Sequence, residues 1–560
     1  MTANHDSSPR ADAASPSSAA ASPDAAAKTG RSALLLTGAK FWFLVSGFVV
    51  QWALQFVLRD ATNADEGKRL YGLYSTATGF AAILNAFVYQ GTTQAVATFT
   101  GRDPSNAAGV KASAYKLQAL LGGSLFGLWW LAAPTLARSI YDNPDLTGPL
   151  RYGAFILLGY AFYAVAMGSL TGRSLFTRQA VVDVTFSTLK VIAIPGAAML
   201  LGPTLARLHA DALAHGATVP SAASVGYAEA AVGGFATAGW LVLALALLIS
   251  PRAPAATAPV RVGTLFAFQS MTMILSGLVT WVTQADLQLL NVLGTLDADA
   301  MARLSGEYRA AQLFATIPYQ AVFAITFILF PLVSGLKDPE ALKATIRGTS
   351  KYALLIAAPV VGGFIGAPSR AVGLLYGPEY AAPAAAPLRW LVAGYLAFSV
   401  FFVLLTIVTA GGRPGRSVLL VAVMALVQGV ASWWFIPRMG PVGAAVGSAV
   451  GMTVGWCVLE VFLRRTAGAG TDVMQLLRTL VCGAGAAAVT HVCLDGAWTG
   501  GTALLGNVGA PGSLVSKLAT LAAFAVAGVV YVLLLLSTGA LDADDRARFA
   551  RIIGRKRARG

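Results

Sequence analysis

Residues Tyr71–Gly101 read YGLYSTATGFAAILNAFVYQGTTQAVATFTG, and residues Ser305–Gly335 read SGEYRAAQLFATIPYQAVFAITFILFPLVSG. The two stretches are equal in length. In register they share Gly72 with Gly306, Tyr74 with Tyr308, Phe80 with Phe314, Ala81 with Ala315, and the closing Gly101 with Gly335. Further pairs keep the same order. Leu150-Arg151-Tyr152 returns as Leu388-Arg389-Trp390, Gly159-Tyr160 as Gly394-Tyr395, and Gly172-Arg173-Ser174 as Gly415-Arg416-Ser417. Val232-Gly233 with Gly239-Trp240 returns as Val446-Gly447 with Gly455-Trp456, and Ser46-Gly47 as Ser276-Gly277. One match of this kind carries little information in an apolar sequence. Four segments recurring in the same order make the chain an internal duplication.

Composition says what is duplicated. Charged residues are 12% of the 560 and AVILMFWYC residues 56%, with a mean hydropathy of +0.67; soluble domains carry roughly 25% charge. The apolar residues fall into fourteen runs between residues 33 and 538, most of them twenty residues or longer. Runs of that length are read as membrane-spanning helices, because only helices or closed barrels satisfy their own backbone in lipid. The fold class expected is therefore an all-α polytopic membrane protein of about fourteen spans. Each repeat partner lies six spans after the first, so both units insert the same way up. They form two parallel six-helix lobes, with two extra helices after them.

The boundaries expected are a disordered tail at 1–32, an N-lobe at 33–250 and a linker at 251–263. A C-lobe follows at 264–465, then spans thirteen and fourteen at 466–540, then a basic tail at 541–560. With the N-terminus cytoplasmic, 27 of the 40 Lys and Arg fall on the cytoplasmic side, 12 on the other, and Lys190 inside a span. That bias follows the positive-inside rule and predicts cytoplasmic N- and C-termini. The net charge of +15 is thus topological. No basic patch with interleaved aromatics is present, and nucleic acid is not an expected partner. Cys457, Cys482 and Cys493 have no ligand spacing and read as packing thiols, so neither metal nor cofactor is expected.

Two similar bundles face each other across a cavity that can open to either side, which predicts transport through it rather than catalysis. An ionisable group in a span costs at least about 2.5–3.5 kcal/mol at the bilayer centre, so each needs a reason. Lys190 in the fifth span and Asp286 in the seventh are the clearest. Lys40, Glu307 and Arg309 lie nearer the interfaces, where snorkelling is the alternative. At about 100° per residue, Trp281, Gln284, Gln288 and Asn291 share one stripe of the seventh span. Asp286 points nearly opposite, available to pair with a cation or to titrate as an ion-coupling group. The second span adds Asn85, Gln90, Thr93 and Gln94, and the eighth Gln312, Tyr319 and Gln320; each is either cavity lining or interhelical glue. Pro195, Pro318 and Pro331 are candidate kinks. The stretch 204–225, with Arg207, His209, Asp211 and His215, reads as a solvated outer loop. No Walker loop is present, so the chain does not itself hydrolyse ATP.

Several of these residues carry a resemblance. Tyr71-Gly72-Leu73-Tyr74, the seventh-span Asp286, Gly306-Glu307-Tyr308-Arg309-Ala310-Ala311 running to Phe330-Pro331-Leu332-Val333-Ser334, and Met439-Gly440-Pro441-Val442-Gly443-Ala444-Ala445 are similar to Wzx-type polysaccharide flippases. These belong to the multidrug/oligosaccharidyl-lipid/polysaccharide exporter superfamily. The resemblance covers about residues 33–465. It implies translocation of an undecaprenyl-diphosphate-linked glycan across a bacterial plasma (inner) membrane, among membrane lipids and beside a polysaccharide polymerase and glycosyltransferases. On that reading Lys190, helped by Lys40, takes the phosphates, and Arg309 is a further substrate-binding residue. Gln284, Gln288, Asn291, Asn85 and Gln90 face the sugars, and Asp286 couples an ion. Two departures keep alternatives open. Twelve spans are usual for that branch, and fourteen resembles the lipid II flippases, whose first-span arginines are absent here. A cation-coupled multidrug exporter is the other alternative.

Overall fold

The computed structural model describes residues 23–218, 220–251, 260–334, 336, 338–412, 414–496, 513–542 and 545, and among them there is no strand. Six long helices make the first lobe: α1 (Pro23–Ala61), α2 (Ala64–Arg102), α3 (Ala107–Thr135), α4 (Thr147–Gly172), α5 (Phe176–Ala214) and α6 (Val225–Ile249). The second lobe holds α7 (Val262–Leu293), α8 (Ala298–Ala315), α9 (Ile317–Ser334), α10 (Pro339–Gly366), the short α11 (Pro368–Gly373), α12 (Pro378–Ala410), α13 (Pro414–Met439) and α14 (Pro441–Ala467). Helices α15 (Val473–His491) and α16 (Leu514–Ser537) follow. Twelve helices among the described residues are long and apolar enough to cross a membrane. The other two expected spans are α2, diluted by polar residues, and α8 with α9, a helix in two pieces.

Local chemistry sets the ends. Asn63, Asp297, Asp338, Asp472 and Ser513 cap α2, α8, α10, α15 and α16 by accepting first-turn backbone N–H groups. Helices α10, α12, α13 and α14 open on Pro339, Pro378, Pro414 and Pro441, where a missing N–H costs nothing. Pro318 breaks the eighth span: it cannot donate to the preceding turn, so α8 stops at Ala315 and α9 starts again at Ile317.

The duplication is visible in the packing. α1 packs on α5, α2 on α4, α3 on α4, α4 on α6 and α5 on α6. In the second lobe α7 packs on α13, α8 and α9 on α12, α10 on α12, α12 on α14 and α13 on α14. Small residues set the spacing, as membrane helices require. α15 and α16 sit beside the second lobe, against α10, through Cys482, Ala486, Ala527 and Tyr531.

Three boundaries differ from the sequence expectation. α1 begins at Pro23, inside the segment read as tail, because Pro-Asp-Ala-Ala-Ala is a strong helix start of high propensity; residues 1–22 lie outside the described residues, as do 252–259 of the linker and 546–560 of the basic tail. The outer stretch is not a loop through 225. α5 continues to Ala214 on a helical run of Leu and Ala, and Gly216 at φ +87° ends it. There His209 Nε2 lies 2.9 Å from Glu229 Oε2. The start of the segment read as a basic tail is acidic and docked. Lys351 Nζ donates to Asp542 at 2.6 Å and to Asp545 at 2.5 Å, and Tyr352 donates to Asp545 at 2.7 Å. Burial raises the Asp545 carboxyl, but these donors hold it below its ordinary value.

Gly394 of α12 packs so closely on α14 that a Cβ there would lie 2.7 Å from Ala449 Cα, whereas a Cβ on Gly239 meets nothing within 4 Å. Gly394→Val is expected to cost about 1–3 kcal/mol and to lower the detergent melting temperature, with Gly239→Val unchanged. Equal melting temperatures would refute the close-packed interface.

Candidate functional site

The two lobes meet where the repeats first matched. A Cβ on Gly72 of α2 would fall on the Ala302 carbonyl oxygen of α8 and lie 3.0 Å from Gly306 N; one on Gly306 would fall on the Lys68 carbonyl oxygen. Two glycines at equivalent repeat positions therefore let α2 and α8 touch backbone to backbone.

Around this contact the lobes are bolted together at the end carrying the α1–α2 turn. Lys68 Nζ donates to Glu307 at 3.0 Å, both largely buried. Arg69, 2% exposed, donates to Asp145 and Glu66 of its own lobe and, from Nε, to Asp299 of the other at 2.5 Å. Asp145 also accepts from Ser221 N and Oγ, each at 2.6 Å. Asn143 Nδ2 donates to the Ala298 carbonyl at 3.3 Å, and the Tyr71 and Tyr376 hydroxyls are 2.9 Å apart.

The polar stripe of α7 splits between two jobs. Gln288 accepts from Tyr141 at 2.6 Å and donates to the Thr76 carbonyl at 3.2 Å. Asn291 donates to Thr76 Oγ1 at 3.2 Å and accepts from Ser305 at 3.0 Å. Gln288 and Asn291 were expected to line the cavity; here they are buried, with their amides spent on interlobe bonds. In an apolar seam that is the cheaper arrangement, since an unpaired buried amide costs about 1–3 kcal/mol. Gln284, one turn further in, is half-buried and accepts from Arg309 Nη1 at 3.3 Å.

Asp286 points away from that seam into its own lobe. It accepts from Tyr308 at 2.8 Å, Gln312 Nε2 at 2.8 Å and Leu287 N at 2.9 Å. Gln312 also accepts from Arg309 Nη1 at 2.5 Å, so one side-chain amide joins the cation to the carboxylate. Arg309 Nε is buried and has no partner. Arg309 is thus half-buried with a donor to spare, and its charge acts on Tyr71 and Tyr74 of the first lobe.

Lys190 is placed elsewhere. Its ammonium lies 4.2 Å from the Phe43 ring centroid, 4.9 Å from Phe186 and 6.0 Å from Phe235, with Asp183 acting on its charge. All these residues belong to α1, α5 and α6, so the structure does not bring Lys190 to the Arg309 cluster. Cation–π contact satisfies an ammonium that sequence reasoning had free for phosphate. The Lys40 side chain lies outside the described residues. Asn85 is buried with Oδ1 unpartnered, and Gln90 and Gln94 of α2 are exposed.

Beyond the break at Thr316, α9 packs on α10 and α12, while α8 stays against α2. The α2–α7 seam runs on past this point, with Thr92 Oγ1 accepting from Gln118 at 2.6 Å and donating to Gln269 at 3.4 Å. Sequence reasoning missed the Lys68–Glu307 pair and Arg69. Charges beside a span look like ordinary flanks; the usable signal was the shared Gly72/Gly306, which marks a close contact.

Residues 68–204 match a family model described as polysaccharide biosynthesis protein. No curated protein matches. Among solved structures, lipid II flippase MurJ in an inward closed conformation aligns at TM-score 0.66 and 11% identity, over 93% of this chain and 99% of its own. An inward-facing multidrug resistance MATE family transporter of the MOP superfamily aligns at 0.56 and 18%, over 77% and 94%. An outward-facing one aligns at 0.53 and 16%, over 78% and 95%. The chain shares the fold of these proteins. The shared fold accounts for the two lobes.

Ser305 is fully buried in the seam. In a chain with its three cysteines replaced, Ser305→Cys is expected to resist an impermeant maleimide, and adding Gly72→Val to raise labelling several-fold by wedging α2 from α8. Unchanged labelling would remove Gly72 from the seal.

Proposed function

We propose that this protein moves an undecaprenyl-diphosphate-linked oligosaccharide from the inner to the outer leaflet of a bacterial plasma membrane by alternating access of its two lobes, with both termini cytoplasmic. The observation that carries the reading is Arg309: a cation between the lobes, half-buried, whose Nε is buried without a partner. A diphosphate offers the acceptors that such a donor lacks, and a guanidinium suits phosphate oxygens better than a point charge. The match of residues 68–204 to polysaccharide biosynthesis proteins supports the glycan.

In this scheme Arg309 takes the diphosphate, with Lys40 meeting it at the inner end of α1. Gln284, Asn85 and Gln90 face the sugars, and Gln288 and Asn291 join them once the seam opens. Lys190 is assigned to hold α1, α5 and α6 together. Asp286 is the coupling group. When it takes up a proton or a cation, Gln312 must rearrange, and Gln312 also holds Arg309. Loading of the ion and release of the phosphate are thereby linked through one amide. The prenyl chain remains in lipid throughout.

The test is flipping of a labelled undecaprenyl-diphosphate oligosaccharide in proteoliposomes. A hydrogen bond to a charged group contributes about 1.5–3 kcal/mol, so Arg309→Ala should slow flipping roughly ten- to hundredfold, with Arg309→Lys intermediate. Asp286→Asn should abolish dependence on an ion gradient while leaving downhill flipping measurable. Full activity in Arg309→Ala would discard the phosphate assignment. A second reading, a lipid II substrate, is favoured by the alignment with MurJ over 93% of the chain; faster flipping of lipid II than of the oligosaccharide lipid would select it.

A further inference from the structure

Helices α10, α14 and α15 line a polar cleft of ≈ 580 Å³. Its walls include Arg347 of α10, Arg464 of α14 and the turn Gly468–Asp472. Gly468 ends α14 at φ +67°, and Lys343 comes within 3.4 Å of where its Cβ would be. The turn is rigidly held. Thr471 N donates to Glu460 at 2.9 Å, Arg464 donates to the Thr471 carbonyl at 2.7 Å, and Asp472 caps α15 by accepting from Met474 N at 2.9 Å. Asp472 is thus spent on the turn and Glu460 is shared between the turn and Arg464, 3.9 Å away, whereas Arg347 makes no side-chain hydrogen bond or ion pair among the described residues.

Next to the cavity the surface turns apolar at once. Val473, Met474 and Leu477 of α15 and Val461 of α14 are exposed. Cations at the mouth of a cleft between membrane helices, with an apolar wall running into the bilayer, match a phosphate headgroup whose acyl chains stay in lipid. We infer that this cleft binds the headgroup of an anionic membrane phospholipid through Arg347 and Arg464, and so ties α15 to α10 and α14. The site is separate from the interlobe seam and does not depend on which lipid-linked glycan is carried.

The experiment uses the purified full chain in neutral detergent, with lipid retention read by native mass spectrometry and stabilisation by melting temperature. Cardiolipin or phosphatidylglycerol is expected to bind and raise the melting temperature, and phosphatidylcholine to do neither. Each cation near a membrane surface contributes about fivefold in affinity. Arg347→Ala with Arg464→Ala should therefore weaken binding roughly thirtyfold. Should that pair fail to fold, Arg347→Glu alone carries the test, since its guanidinium holds nothing in place. Arg465→Glu, exposed and outside the cavity wall, should bind as the parent does. Equal retention of phosphatidylcholine, equal loss in Arg465→Glu, or full stabilisation by inorganic phosphate alone would each overturn the assignment.

Discussion

The backbone contact between Gly72 and Gly306 is the constraint on which the architecture turns. Duplicated bundles have no reason to meet at equivalent residues unless a close approach there is useful, and any side chain would hold α2 and α8 apart. Once the backbones touch, Lys68 reaches Glu307, Arg69 reaches Asp299, and Gln288 and Asn291 reach Thr76. With Tyr71–Tyr376, Tyr141–Gln288, Asn143–Ala298 and Arg59–Glu379, eight interlobe hydrogen bonds among the described residues lie at one end. At about 1 kcal/mol net each, they set a barrier of several kcal/mol. Parting the lobes would have to offset that contribution.

The break before Pro318 gives the two ends different properties. α8 is committed to α2, and α9 to α10 and α12, so the eighth span is shared between the seal and the body of its lobe. A straight helix would have carried the contact with α2 through the membrane. Instead the seam continues inward only along α7, through Thr92, Gln118 and Gln269.

Charge placement follows the same logic. In a low-dielectric interior an unpaired charge is costly, and most buried ionisable groups here are tied: Lys190 to aromatic rings, Arg69 to three carboxylates, Asp286 to a tyrosine and a glutamine. Arg309 departs from the pattern because one of its donors is buried and unused. Its link to Asp286 through Gln312 puts a cation and a carboxylate in one network, across a helix pair in a single lobe.

The periodicity of apolar runs, the six-span repeat and the lysine and arginine bias determined a parallel-duplicated helical membrane protein, because bilayer thickness and backbone satisfaction leave few other options for such a sequence. The sequence also singled out Asp286, Arg309 and the glutamines of α7 by the cost of polar groups in lipid. It could not say which way they faced. A 100° periodicity places Gln284, Gln288 and Asn291 on one stripe, but only packing decides that the last two meet α2 while the first meets Arg309. Lys190 shows the same limit: burial of a cation was legible, whereas its ring cage drew residues from three helices up to 192 positions apart. Tertiary structure alone assigned partners, since in a membrane the identity of a polar group fixes that it must be satisfied and its neighbours fix how.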